Sequence, residues 1–329
     1  MQAITINDQD EAKWSTVQRP TPARKEVLIK VHAAGVNRAD LVQRSGNYPP
    51  PPGASSILGL EIAGEVVSCG EDVDEEKQPL ARPGSKVCAL LAGGGYAEYV
   101  TVHEDLLLPV PEGYSLIEAA ALPEVYFTAW LNLFMLAEVE RGELAVIHAG
   151  ASGVGTAAIQ LCKEFGVHTI ATASASKLER LTELGADHVL DRRAEDMFAQ
   201  IKEIASSYSG VDAILDPVGA DYLEGDVDVL GLEGRLVLIG LMSGRAAELN
   251  LGKVLVKRLK LMGSTLRSRP VEEKARIADE LRKHVWPLFF QGKLTHIIDS
   301  TFPITATDEA HKKLASNTTT GKIILTFDV

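Results

Sequence analysis

Residues 148 to 161, HAGASGVGTAAIQL, place Gly153, Gly155 and Ala158 at the G-x-G-x-x-G/A spacing. They stand directly after the apolar run LAVIHA and open a helix-like stretch. In such a turn the first glycine permits the sharp bend, the second lets the backbone approach a pyrophosphate, and a small third residue keeps helix and strand close. The free N–H groups of the helix N-terminus then face the phosphates. Ser152, Gly153, Val154 and Gly155 are therefore candidate cofactor residues, and His148 beside them reads as an ordinary strand-end residue. A dinucleotide fold commonly carries an Asp or Glu about 20 residues after the first glycine to hold the ribose hydroxyls. Here that place is taken by ATASASKLER, with Ala173 and Ser174 where the carboxylate is expected and none before Glu179. Ser174, Lys177 and, in VLDRRAED, Arg192 suit a 2′-phosphate, although both cations also read simply as solvated surface charges. The expected cofactor is NADPH.

The glycine loop begins nearly halfway along the 329 residues, so a substantial structure must be built from the residues before it. Up to about residue 120 the chain reads as short alternating strands with Gly and Pro punctuation, in EVLIKVHAAGV, EIAGEVVSCGEDV and KVCALLAGGGYAEYVTV. This predicts a barrel-like, mostly β domain. From about 125 to 290 apolar strands alternate with helical stretches, the pattern of a parallel sheet with crossover helices. The ending, HIIDSTFPITATDEAHKKL and GKIILTFDV, returns to strands and one helix. The expected division is a catalytic domain from 1–122, a dinucleotide domain from 123–291, and a return to the catalytic domain over 292–329. The site is expected in the cleft between them, where ligand pockets preferentially form.

Lys plus Arg number 33 against 45 Asp plus Glu, a formal net charge of −12. That balance repels phosphate backbones, so no nucleic-acid partner is expected. Cys69, Cys88 and Cys162 are an odd number at wide spacings, which suits a reducing compartment. No uninterrupted apolar run is long enough for a membrane helix, and the first residues lack the pattern of a secretory signal. The expectation is a cytoplasmic protein without a membrane partner.

VNRADL, RSGNYPPPPG, ILGLEIAGEV, AAALPEVYFTAW, HAGASGVGTAAIQL and GLMSG together resemble the medium-chain dehydrogenases/reductases, specifically their zinc-free quinone oxidoreductase branch. Within it, the motifs are most similar to the tumour-suppressor-inducible type. The resemblance covers essentially the whole chain. It implies an α/β architecture: a Rossmann doubly wound parallel sheet plus a GroES-like, barrel-like catalytic domain, assembled as a homodimer or a dimer of dimers. It also implies substrate-side roles for Asn37, Asp40 and Tyr48. Asn37 and Asp40 could equally brace a turn. Tyr48 precedes the rigid run Pro49–Pro52, which holds it extended. Further cofactor contacts implied by the resemblance are Thr128, Val154, Val218, Ile239, Leu241, Leu266 and, more weakly, Asn317. Arg192 stands where the branch often has a Tyr, which adds positive charge.

Zinc alcohol dehydrogenases of this superfamily have Gly-His-Glu where this chain has Gly59, Leu60 and Glu61. Asn37 stands in VNRAD without a cysteine, and no four-cysteine lobe is present. A stable zinc site wants three or four N, S or O ligands, so no metal is expected, and Glu61 is read as a buried structural partner. Without a Lewis acid the expected substrates accept hydride through conjugation, as quinones do, with enones as the alternative. A role of another class, nucleotide-stabilised but non-catalytic, stays open. VKRLKLMGSTL reads as the last strand of the parallel sheet, with an edge that needs covering by a second subunit.

Overall fold

The computed structural model describes residues 1–7 and 9–327. Among them the strands in chain order are β1 (Gln2–Ile6), β2 (Ala12–Thr16), β3 (Glu26–Val36), β4 (Glu61–Cys69), β5 (Lys86–Leu90), β6 (Tyr99–His103) and β7 (Leu107–Pro109). There follow β8 (Leu144–Ile147), β9 (His168–Ala173), β10 (His188–Asp191), β11 (Val211–Asp216), β12 (Leu230–Leu238) and β13 (Lys260–Gly263), then β14 (Ile298–Pro303) and β15 (Lys322–Thr326). Two compact units result: Met1–Phe127 with Leu266–Val329, and Thr128–Thr265.

In the first unit the largest sheet runs β14-β15-β3-β4-β5-β7, with β6 also paired to β3. Its spine is β3, whose apolar alternation buries Val27, Ile29 and Val31 against Ile62, Val66, Val87 and Leu107. The C-terminal β15 joins this sheet antiparallel, with Ile323 opposite Val36. That pairing brings Lys322 alongside residues from the far end of the chain. Gly64 has no alternative here, because a Cβ would sit 2.1 Å from the Lys30 carbonyl oxygen across the ladder.

The stretch 266–291 groups with the first unit, although its sequence texture places it with the parallel sheet. Its apolar face belongs to the barrel side: the Trp286 indole N–H donates to the Pro109 carbonyl at 2.7 Å. Phe289 meets Tyr114 and Tyr126 edge-on, with ring centroids 5.9 and 5.0 Å apart. Helical periodicity states that a face is buried and is silent on which sheet buries it.

The second unit is one parallel sheet in the order β10-β9-β8-β11-β12-β13. From β8 the chain winds outward through β9 and β10, then returns to lay β11, β12 and β13 on the other side. The reversal between β8 and β11 is the switch point at which such sheets open a ligand crevice beyond the strands' C-terminal ends. Helices Gly153–Phe165, Leu178–Leu184, Met197–Ala205 and Ala220–Val229 make the crossovers. One helical run, Leu116–Leu136, is long and apolar enough to cross a membrane by length and composition, and most of it is buried inside the protein. In the sequence Glu118 and Glu124 interrupt that run and hide its length.

Candidate functional site

On the nucleotide side the backbone carries the geometry. After β8 the chain turns through Ala149, at φ 51°, into the helix Gly153–Phe165. Ser152 caps that helix, its Oγ accepting the Gly155 N–H at 3.0 Å. Gly155 is buried, and a Cβ there would lie 2.5 Å from the Ala149 carbonyl oxygen and 2.6 Å from the Gly150 backbone. The turn therefore needs glycine on steric grounds. The N-terminal N–H groups of this helix, at Gly153 and Val154, lie at the switch point.

His148 is not an ordinary strand-end residue. It is buried, with Nε2 2.8 Å from Asp226 Oδ1 and Nδ1 3.0 Å from Thr172 Oγ1, so it ties β8 to β9 and to the helix Ala220–Val229 beneath the glycine turn. Asp216, at the end of β11, accepts the N–H groups of Val218 and Gly219 at 2.5 and 2.9 Å. Burial, helped by the neighbouring Asp226 charge, pushes its carboxyl up to about 6 against the opposing pull of His148 and those N–H groups. The Ile239 N–H donates to the Asp216 carbonyl at 2.8 Å. Leu241 is half exposed. Val218, Ile239 and Leu241 thus gather beyond the C-terminal ends of β11 and β12.

The paired ends of β9 and β10 bring Ser174 and Arg192 together, with Ala173 opposite Asp191 and Arg192 Nε 3.2 Å from Ser174 Oγ. Lys177 closes the short turn Ala175–Lys177 before the next helix. A hydroxyl, a guanidinium and an ammonium at one sheet edge fit a 2′-phosphate, and the glycine cradle fits a pyrophosphate. Thr128 opens this unit, its carbonyl held by Asn132 Nδ2 at 2.7 Å. Leu266 and Asn317 belong to the other unit. Leu266 is buried there, while Asn317 is exposed and accepts from Arg38 at 2.5 Å.

In the first unit side chains carry the geometry. Asn37 caps the helix Arg38–Arg44 in a reciprocal box with Asp40, whose Oδ2 accepts the Asn37 N–H at 2.8 Å. Asp40 is fully buried and also accepts from the Gly59 N–H at 3.0 Å and the Tyr96 hydroxyl at 3.2 Å. Burial raises its carboxyl to about 6 against those donors and the Lys322 charge. The Tyr96 hydroxyl in turn lies 3.3 Å from His311 Nε2. Burial, aided by the Arg44 charge, lowers that imidazole to about 4. Asp40 is thus a brace with no face open to a substrate, which corrects the substrate-contact reading.

The Asn37 amide is committed as well, donating through Nδ2 to Glu61 Oε1 at 2.9 Å and accepting through Oδ1 from Lys322 Nζ at 2.6 Å. Glu61 is the hub. Its Oε1 lies 2.6 Å from the Lys322 ammonium, and its Oε2 accepts the Glu124 N–H at 2.8 Å. Tyr48 is half-buried, with Arg267 Cζ 5.3 Å from its ring centroid and Arg267 Nη1 donating to its carbonyl at 3.1 Å. Among the described residues no group of three or more His, Cys, Asp or Glu is arranged to hold a metal ion.

Lys322, Glu124, Arg267, Tyr96 and His311 escape a reading by motif. One signal was available: a lysine at the head of the apolar run KIILTF, which the sheet must bury, requires an acidic partner elsewhere. Nothing in the sequence says that the partner is Glu61.

Two family models match the chain, the alcohol dehydrogenase GroES-like domain over residues 23–112 and the zinc-binding dehydrogenase over residues 153–283. A quinone oxidoreductase of Mus musculus is 31% identical over 315 residues, covering 94% of this chain and 92% of that protein. The quinone oxidoreductase of Thermus thermophilus, solved also in complex with NADPH, superimposes with a TM-score of 0.81 at 28% identity, covering 99% of this chain and 100% of that one. The CurK enoyl reductase does so with a TM-score of 0.85 at 28% identity, over 99% and 98% of the two chains.

Proposed function

Because this chain belongs to the medium-chain dehydrogenase/reductase superfamily, in its quinone oxidoreductase branch, we propose that it is an NADPH-dependent quinone reductase that works without zinc. Its standing as an oxidoreductase of the family rests on that membership. NADPH, when bound, supplies a hydride to a conjugated acceptor. Gly153, Val154 and Gly155 would hold the pyrophosphate, and Ser174, Lys177 and Arg192 the 2′-phosphate. Val218, Ile239 and Leu241 would line the path beyond the strand ends. The observation that carries the cofactor choice is the Ser174–Arg192 contact at a sheet edge where no carboxylate replaces it. Tyr48 is the proposed substrate contact.

What supports metal independence is the use of Glu61. The carboxylate is saturated by Lys322, Asn37 and the Glu124 N–H, and Leu60 stands where the zinc enzymes have histidine. A substrate that spreads incoming charge over conjugated carbonyls suits such a site. The likeness to an enoyl reductase supports enone reduction as the second reading. The deciding experiment follows NADPH oxidation by one preparation with a panel of quinones and enones. Faster turnover with quinones supports the first reading and faster turnover with enones the second, while tight NADPH binding without oxidation favours a non-catalytic role.

We further propose a homodimer or dimer of dimers built on the second unit. β13 ends its sheet with a free edge, and Leu251, Leu255 and Val256 beside it are 70, 77 and 72% exposed. A monomer by sedimentation equilibrium at micromolar concentration contradicts this assembly.

A further inference from the structure

Glu124 opens the helix Pro123–Ala129 and is anchored by its own N–H to Glu61 Oε2 at 2.8 Å. The residue is partly exposed. The two neighbouring carboxyl groups live in different surroundings. Glu61 receives three donors. The Lys322 ammonium that neutralises it spends all three protons, on Glu61 Oε1 at 2.6 Å, Asn37 Oδ1 at 2.6 Å and the Val36 carbonyl at 2.9 Å. Nothing of Lys322 is left to bond Glu124. The remaining nearby ammonium, on buried Lys274, donates to the Arg267 carbonyl at 2.7 Å. Like charge then decides the outcome: beside an ionised Glu61 and a buried Asp40, a second carboxyl holds its proton. Burial first, then Glu61 and Asp40, push Glu124 up to about 8, against the opposing charges of Lys322 and Lys274. The remaining charged and titratable groups around it are Tyr48, whose phenol the Glu124 charge raises, and Arg267.

We infer that Glu124 is a catalytic residue, the acid that delivers a proton to the substrate oxygen. The inference rests on the reductase reading above. As hydride from the reduced nicotinamide adds to the conjugated acceptor, the displaced electron pair moves onto a carbonyl oxygen. That oxygen forms an O–H bond as the Glu124 O–H bond breaks, and the resulting carboxylate regains a proton from solvent. The acceptor is reduced by two electrons and the nicotinamide oxidised by two. Asn37 cannot take this role, since both ends of its amide are engaged, nor can Asp40, which is enclosed.

The test is Glu124→Gln, which keeps the size and the backbone anchor and removes the acid. With a quinone acceptor at pH 7, kcat falls about 100-fold, the lower end of general-acid contributions, while KM and NADPH affinity stay near wild type. Wild-type kcat declines as pH rises through about 8, and the variant lacks that limb. Glu124→Asp restores part of both. Independently of turnover, carboxyl 13C NMR of glutamate-labelled protein without nucleotide shows one resonance titrating near 8 that Glu124→Gln deletes, or that Glu124→Asp deletes if the first variant does not fold. An active wild type with an equally active Glu124→Gln, or no glutamate resonance titrating above the ordinary carboxylate range, overturns the inference alone. A wild type inactive on quinones and enones overturns the reductase reading together with it.

Discussion

The two units build their sites by opposite means. On the nucleotide side, ligand geometry comes from the backbone: a glycine turn, a capping serine and two N–H groups pinned by Asp216, all within a few residues of a strand end. In the barrel unit it comes from side chains converging from Asn37, Glu61, Glu124 and Lys322. A backbone site depends on shape and tolerates exchange of the exposed side chains around it. A convergent side-chain site is an electrostatic balance in which each member is buried at the expense of its hydration, so removing one strands the rest.

The largest expected effect follows directly. Lys322→Met leaves Glu61 buried and unpaired and destabilises the protein by about 3–5 kcal/mol in urea unfolding. Adding Glu61→Gln recovers a large part of that loss. Equal stability of Lys322→Met and wild type removes the electrostatic half of the comparison. Next in size, Gly155→Ala forces a Cβ against the Ala149 carbonyl oxygen. It weakens NADPH binding by roughly 10- to 100-fold, the range for an overpacked site, with little change in the unfolding of the barrel unit. Fluorescence titration of the nucleotide measures it.

Asp40 and Asp216 allow a matched comparison, since burial pushes each up to about 6 from 3.8, one in each unit. A carboxyl raised on folding contributes stability that is fully present below about 4 and lost as pH rises through about 6. Melting temperatures recorded from about pH 4 to 7, the window those two values set, should therefore show a downward component that Asp40→Asn and Asp216→Asn each reduce. A profile unchanged in both variants contradicts the burial argument.

How much of this was legible in the sequence follows the same division. The nucleotide turn was readable because its parts are adjacent: spacing alone fixed Gly153, Gly155 and Ala158, and the run of strands and helices fixed the sheet. Tyr48 was placed by its proline run. Glu61 was readable as a buried partner only because its motif lacks histidine, and its own partner Lys322 arrives through the pairing of β15 with β3. His148 was misread because Asp226 lies on a distant helix. Residues 266–291 were assigned to the parallel sheet because periodicity does not name the surface a helix covers.

The smallest expected effect concerns exposed charge. Lys177 and Arg192 contribute about 1 kcal/mol each after discounting for solvent screening. NADPH is then preferred over NADH by roughly 20- to 30-fold in kcat/KM. Lys177→Ala removes about half of that preference in free energy, leaves NADH use nearly unchanged, and the preference shrinks with added salt. Equal use of both cofactors by wild type shows that Ser174, Lys177 and Arg192 do not form a phosphate site.

The central claim, a quinone reductase that draws on NADPH and needs no metal, is tested most directly by the rate of NADPH oxidation with a quinone before and after treatment with a zinc chelator. The account predicts the same rate in both. No turnover with any quinone, or a rate lost on chelation and restored by added zinc, contradicts it.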